Sequence, residues 1–263
     1  MTYLLPTGFT YDLFTDMISQ THLLIAGATG SGKSVLVNGL ICTMLYDSPF
    51  DCPGGKQLIL IDPKRTELSP YRYVPHCLFY ASEPADMVNA LEYALCITET
   101  RYRAMERAGN RNYFGSDVYV VIEELADLLT TQRKVVQPLI QRLCQIARAA
   151  RVHVWAVTQC PLASILTTPI KVNFTGIVAL RTRSAQDSRN IIGHSGAEVL
   201  PMYGECLYLT PDKRNTELWK VPYVTEQEQK ELISWWTNQK LQSPPEQTSK
   251  KRKWLFFRRR RQK

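Results

Sequence analysis

The sequence predicts an α/β fold with a mostly parallel central sheet flanked by helices, and three observations predict it. Short apolar runs of strand length alternate with longer helical patterns along most of the chain. The first run, His22 to Ala26, passes through a glycine turn directly into a helical pattern. Later runs end in polar groups (Asp62-Pro63, Glu123-Glu124, Thr158-Gln159), as strands do at the ligand edge of an open parallel sheet.

Taken in order, His22 to Ala26 is a strand and about Lys33 to Tyr46 a helix. Gln57 to Ile61 is a second strand, stopped by Asp62-Pro63. A long helix covers Glu83 to Ala108 and ends at Gly109-Asn110, followed by a third strand at Val118 to Ile122. An amphipathic helix spans Val135 to Ala150, with a fourth strand at Val152 to Val157 and a fifth at Phe174 to Leu180. Strands near Cys206 to Leu209 and Trp219 to Val221 precede a helix from about Thr225 to Lys240. Residues 1–21 read as a segment before the main domain, 22–241 as that domain, 242–249 as a polar proline-containing linker and 250–263 as a disordered basic aromatic tail.

Composition excludes several classes. With 263 residues, 44% hydrophobic and 21% charged, the chain can bury a large core and is not compositionally disordered. No run approaches the about 18 to 20 apolar residues of a membrane-spanning helix, and the amino terminus lacks the pattern of a signal peptide. The seven cysteines are scattered without a C-x-x-C pair, so neither a disulfide framework nor a zinc site is indicated and a reducing cytoplasm fits. Nine of the 32 basic residues fall in 250–263, leaving 23 against 24 acidic residues elsewhere. The net charge of +8 therefore belongs to the tail, and nucleic-acid binding by the folded body must be argued from motifs.

Gly27-Ala28-Thr29-Gly30-Ser31-Gly32-Lys33-Ser34 satisfies G-x-x-x-x-G-K-[ST] between a strand and a helix. Its glycines let backbone N–H groups converge on phosphate oxygens, and the helix N-terminus adds positive potential. Lys33 is expected on the β and γ phosphates of ATP, with the Ser34 hydroxyl on Mg²⁺. Val118 to Glu124 supplies two carboxylates at a strand end, expected on the strand neighbouring the phosphate loop. Glu123 would hold Mg²⁺ through its water shell and Glu124 would orient or deprotonate the attacking water. The alternative is a plain acidic helix N-terminus. Thr158-Gln159 suits a γ-phosphate sensor or an ordinary polar strand end, and Arg148 and Arg151 are either surface charges or trans-acting arginine fingers.

Together these segments resemble the motor domain of the FtsK/SpoIIIE family of DNA translocases. The resemblance runs from about His22 to Trp236. It is carried by HLLIAGATGSGKSVLVNGLI, by LILIDPKRTELSPYRYVPH (58–76), by Glu99-Thr-Arg101-Tyr102 and Gly109-Asn-Arg111-Asn112, by RLCQIARAARVHVWAVTQCP and by DSRNIIGHSGAEVLPMYGECLYL. It implies a RecA-like P-loop ATPase assembling as a hexameric ring around double-stranded DNA, with ATP between subunits. By position, Lys33 and Ser34 bind phosphate and Mg²⁺, Glu124 is the catalytic carboxylate and Gln159 senses the γ-phosphate. Arg148 becomes the arginine-finger candidate, with Arg189 a weaker one. Glu123 stands where the family has Asp, Cys160 where it has Arg, and Arg151 where it has Gly. The family's amino-terminal membrane domain and carboxy-terminal winged helix have no counterpart, so translocation without an orientation code and a mobile-element motor are the expectations.

The tail KKRK-WLFF-RRRRQK leaves three readings open: DNA contact through counterion release and stacking by Trp254 or Phe257, anionic lipid, or a solvated tail. Beside the translocase stand two further functions. One is a coupling or packaging ATPase delivering DNA to a conjugation or transfer machine, docked at the membrane surface through residues 250–263. The other is a non-hydrolysing ATP-gated assembly module, suggested by Glu123.

Overall fold

The apolar runs become strands because each is too short for a helix and is rich in branched side chains. The computed structural model describes residues 9–47, 52–161 and 168–240. Its strands are β1 (His22–Ala26), β2 (Lys56–Ile61), β3 (Cys77–Ala81), β4 (Asp117–Ile122), β5 (Val152–Thr158), β6 (Gly176–Ala179), β7 (Glu205–Leu209) and β8 (Glu217–Lys220). Helices are α1 (Phe9–Ser19), α2 (Lys33–Asp47), α3 (Pro84–Ala108), α4 (Leu125–Thr131), α5 (Arg133–Ile146), α6 (Thr168–Lys171), α7 (Ala185–Ile192) and α8 (Glu226–Lys240). The linker and tail expected at 242–263 lie outside the described residues.

One sheet forms in the order β3-β2-β4-β5-β1-β6-β7-β8. Pairings from β3 through β6 are parallel, and β7 and β8 add two antiparallel pairings at one edge. The central strands are buried on both faces, so neighbouring residues serve opposite cores. Leu24, Ile59, Val120 and Val154 meet α3, α4 and α5, whereas Leu23, Ile25, Leu60, Val121 and Trp155 meet α1, α2 and α8. On that second face, Leu13, Phe14 and Met17 of α1 are buried. Gly39 of α2 admits the Phe14 ring, since a Cβ there would lie 2.6 Å from Phe14 Cζ.

The expected strands all form, but the sequence reading omitted β3, α1, α4, α6 and α7. Strand β3 is an edge strand, half-buried over most of its length, and follows Pro75-His76, so it lacks a strong strand signal. The amphipathic helix expected at Val135 to Ala150 runs instead from Arg133 to Ile146. Helix α3 ends as expected, with Gly109 at φ 66° supplying the left-handed cap.

At the amino-terminal edge of the parallel strands, Asp117 ties three elements together. Its carboxylate accepts from Lys56 Nζ (2.7 Å), from Arg151 Nε and Nη2 (2.9 and 2.7 Å), and lies 3.0 Å from His153 Nε2. Arg101 braces the same turn by donating to Ala150 O and Arg151 O at 2.8 and 3.1 Å. Arg151 adopts φ 55°, a left-handed conformation held by its ion pair with Asp117. Burial opposes ionisation of Asp117, but hydrogen bonds from His153, Arg151 and Lys56 outweigh it and hold the carboxyl well below the usual carboxylate range.

A depressed carboxylate pKa stabilises the fold above the unfolded value of about 3.9, and that contribution is lost as pH falls toward the folded value. Asp117→Asn should therefore cost about 2–4 kcal/mol in urea unfolding at pH 7. The gap between variant and wild type should narrow in measurements near pH 3.

Candidate nucleotide-binding site

The phosphate loop occupies Gly27 to Ser34, between β1 and α2. Gly30 and Gly32 take φ 77° and 93°, which favours glycine at both. Gly27 is required for a different reason: a Cβ there would lie 2.7 Å from Ser31 Oγ and 3.0 Å from Leu180 Cβ. Gly27 N donates to Thr158 O (3.3 Å) and Ala28 N to Arg181 O (2.8 Å), stitching the loop to the ends of β5 and β6. The first-turn N–H groups of α2 have no intrahelical acceptor and face the same space.

Lys33 is buried and curls onto its own loop, donating to Gly27 O at 2.9 Å and Ala28 O at 2.6 Å. Burial lowers its pKa to about 8; Glu124 and Glu123 oppose that fall, and Lys64 and Arg183 add to it. Such an ammonium gains from any phosphate placed against it.

The two carboxylates follow β4. Glu123 N still pairs with Ile61 O at 3.0 Å, and Glu124 is the N-cap of α4. Glu124 Oε1 accepts from Thr158 Oγ1 (2.9 Å), Gln159 N (3.2 Å) and Ala126 N (3.4 Å). Gln159 in turn accepts from Thr29 Oγ1 at 2.8 Å, so one polar chain joins the loop to Glu124. Lys33, Glu123, Glu124, Thr158 and Gln159 are therefore brought to one edge of the sheet. The expectation of neighbouring strands is corrected: β5 lies between β1 and β4 and inserts Thr158 and Gln159 between loop and carboxylate.

Glu123 is buried, and its Oε2 has no hydrogen-bond partner among the described residues. Burial raises its pKa to about 7, Glu124, Asp62 and Glu67 add to the rise, and Lys64 opposes it. A buried carboxylate oxygen without a donor, together with the half-buried Ser34 at the first turn of α2, fits a hard divalent cation. Among the described residues no group of three or more His, Cys, Asp or Glu could hold a metal by itself.

The arginines divide. Arg151 belongs to the Asp117 cluster at the opposite edge, so a finger role gives way to a structural one. Arg148 is exposed in the turn before β5, separated from Thr158 by the length of that strand, roughly 20 Å. It cannot reach the phosphate loop of its own chain. Arg189 is exposed on α7. Sequence reasoning assigned no role to Lys64, whose Nζ lies 3.7 Å from Glu124 Oε2 and 3.9 Å from Glu123 Oε2. The available signal was its place just after β2, at the same strand edge.

The sequence profile of the FtsK/SpoIIIE family matches residues 5–117. The DNA translocase FtsK of Staphylococcus epidermidis is 34% identical over 263 residues, covering 90% of this chain. The chain belongs to the FtsK/SpoIIIE family. The DNA translocase FtsK of Treponema pallidum is 36% identical over 235 residues, covering 83% of this chain and 29% of that protein. The chain spans about a third of its relatives' length, 33% for the Staphylococcus epidermidis protein.

Solved structures share this FtsK/SpoIIIE chain's fold. The pCW3 conjugation coupling protein TcpA, solved as a monomer with ATPγS, superposes with a TM-score of 0.72 at 20% identity, covering 84% of this chain and 66% of that one. EssC (ATPases 2 and 3) from Geobacillus thermodenitrificans gives 0.72 at 14% identity, covering 86% of this chain and 46% of that one. The Sulfolobus turreted icosahedral virus DNA-packaging ATPase B204 gives 0.53 at 16% identity, covering 77% and 98%.

Because a side chain at Gly27 must displace Ser31, Leu180 or the backbone at Arg181, Gly27→Val should deform the loop without unfolding the chain. Binding of a fluorescent ATP analogue should weaken at least about tenfold, or 1.4 kcal/mol, while the thermal midpoint moves by a few degrees.

Proposed function

We propose that this chain is the ATP-hydrolysing motor domain of a double-stranded DNA translocase, working as a hexameric ring with ATP and Mg²⁺ between subunits. The observation that carries the reading is the polar chain from Thr29 through Gln159 to Glu124, on the same edge as Lys33, in a member of the FtsK/SpoIIIE family. Relatives described as DNA translocases, and fold neighbours described as a conjugation coupling protein and a DNA-packaging ATPase, support DNA as the cargo.

In this reading the triphosphate takes the loop N–H groups, and Lys33 exchanges its two loop carbonyls for β and γ oxygens. Ser34 and Glu123 would hold Mg²⁺, which would supply charge neutralisation at the phosphates. Glu124 orients the attacking water and accepts its proton through Oε2, which carries only the longer bond from Gln159 N (3.3 Å), whereas Oε1 also accepts from Thr158 and Ala126. Gln159 couples the loop to Glu124, so loss of the γ-phosphate alters both ends of the chain at once. Arg148, on the edge away from its own loop, serves the neighbouring subunit, with Arg189 as the second candidate. The scattered cysteines suit a reducing cytoplasm as the place of action.

The purified chain should hydrolyse ATP with a rate that rises steeply with protein concentration and is stimulated by long duplex DNA. Lys33→Ala should abolish binding, and Glu124→Gln should cut turnover by about 10²-fold or more while trapping ATP. Turnover indifferent to DNA removes the translocase reading. Equal ATP retention by wild type and Glu124→Gln identifies a non-hydrolysing assembly module instead.

The composition of 250–263 favours one second reading, a coupling or packaging ATPase docked by this segment to the inner membrane surface or to transfer machinery. Removal of 250–263 should then abolish sedimentation with vesicles of anionic lipid and leave ATPase activity within about twofold. Equal loss of both assigns the segment to the motor.

A further inference from the structure

The I-D-P-K-x-x-E-L segment, residues 61–68, has no part in the mechanism so far, yet it is built as a rigid arm. Asp62 is fully buried, and its Oδ2 accepts from Leu68 N at 3.0 Å and Ser69 N at 3.2 Å. Arg65 N returns to Asp62 O at 3.2 Å, closing a tight turn around Pro63 and Lys64. Arg65 takes φ 58°, a left-handed conformation that a non-glycine residue keeps only where its surroundings impose it. Its guanidinium is paired with Glu83 at the start of α3. These restraints aim one side chain, Lys64, at the end of β4.

Lys64 Nζ stands 3.7 Å from Glu124 Oε2 and 3.9 Å from Glu123 Oε2. Both distances exceed the 2.7–3.2 Å of an N–H···O hydrogen bond, so the ammonium is held between the carboxylates by charge alone. Its side chain is 41% exposed, against 11% for Glu123 and 7% for Glu124. The cation can swing into water; the buried carboxylates cannot follow it. Glu123 Oε2 also has no hydrogen-bond donor among the described residues, so nothing but charge fills its coordination.

We propose that Lys64 is a displaceable counter-cation: it holds the cation place between Glu123 and Glu124 until a divalent metal arrives with the nucleotide, and it must yield that place for the metal to bind. Lys64 is thus a positioning residue. It keeps two adjacent buried carboxylates balanced before loading, and it sets how strongly nucleotide binding depends on metal. The inference rests on the nucleotide reading of the site. It differs from a phosphate-ligand role for Lys64, in which the ammonium would grip the nucleotide whether or not metal is present.

The test is the dissociation constant of a fluorescent ATP analogue for the full chain, measured in excess EDTA and again in saturating Mg²⁺. For Lys64→Met, binding in EDTA should weaken, because the carboxylates now face the phosphates unbalanced. Binding in Mg²⁺ should tighten or hold, because no ammonium has to be displaced. The ratio of the two constants should widen about fivefold or more over wild type, the size of a partly buried ion pair. Lys64→Arg should restore the wild-type ratio. Equal weakening in both conditions makes Lys64 a phosphate ligand and overturns the proposal, as does an unchanged or narrowed ratio. Wild-type binding lost in Lys33→Ala, combined with an unchanged ratio in Lys64→Met, sinks the Lys64 proposal alone. No wild-type binding in either condition overturns the nucleotide reading, and this proposal with it.

Discussion

Glu124 Oε1 accepts hydrogen bonds from Thr158, Gln159 and Ala126, and the geometry of the site depends on that one oxygen. The three donors belong to two elements, the end of β5 and the first turn of α4, so the carboxylate fixes their separation. Through Gln159 the constraint extends to Thr29 at the tip of the phosphate loop. A buried carboxylate is tolerated because its polar capacity is met by aligned donors, and Gln159 N reaches Oε2 as well, at 3.3 Å. Glu123, one residue earlier, is the contrast: equally buried, but with one oxygen unpaired. The two carboxylates have the same chemistry and different surroundings.

The parallel sheet makes this arrangement possible by sending its carboxyl-terminal strand ends to one edge. That edge gathers the phosphate loop after β1, Asp62 and Lys64 after β2, Glu123 and Glu124 after β4, Thr158 after β5 and Arg181 after β6. Segments far apart in sequence become one surface. The opposite edge has its own organiser in Asp117, which balances Lys56, Arg151 and His153 at the strand starts. Polar chemistry thus collects at both ends of the strands, while the two faces of the sheet are apolar. The Asp117 cluster also accounts for an unusual backbone conformation. Arg151, although not glycine, enters the left-handed region and is held there by the buried carboxylate.

Much of this was legible in the chain itself. Runs such as QLILI and VYVVI are too short and too rich in branched residues for helices, and the glycines from Gly27 to Gly32 can only be a tight loop between strand and helix. Those local signals determined the α/β class and most element positions, and they pointed to Lys33, Ser34, Glu123, Glu124 and Gln159 as candidate site residues. Strand β3 and helix α4 escaped because their signals are weak in isolation. An edge strand needs less apolar content, and the start of α4 is set by Glu124 acting as its cap.

Only the tertiary structure decided the order of the strands, and with it that β5 separates the phosphate loop from the carboxylates. Pairing order depends on how helices pack across both faces, a property of the whole chain that no local window contains. The same holds for charge. Sequence shows that Lys64, Arg148 and Arg151 are cations, but not that one faces Glu123 and Glu124, one is exposed and one is consumed by Asp117. Residue type sets what a side chain can do chemically; the neighbours brought by folding set its protonation, its partners and its reach.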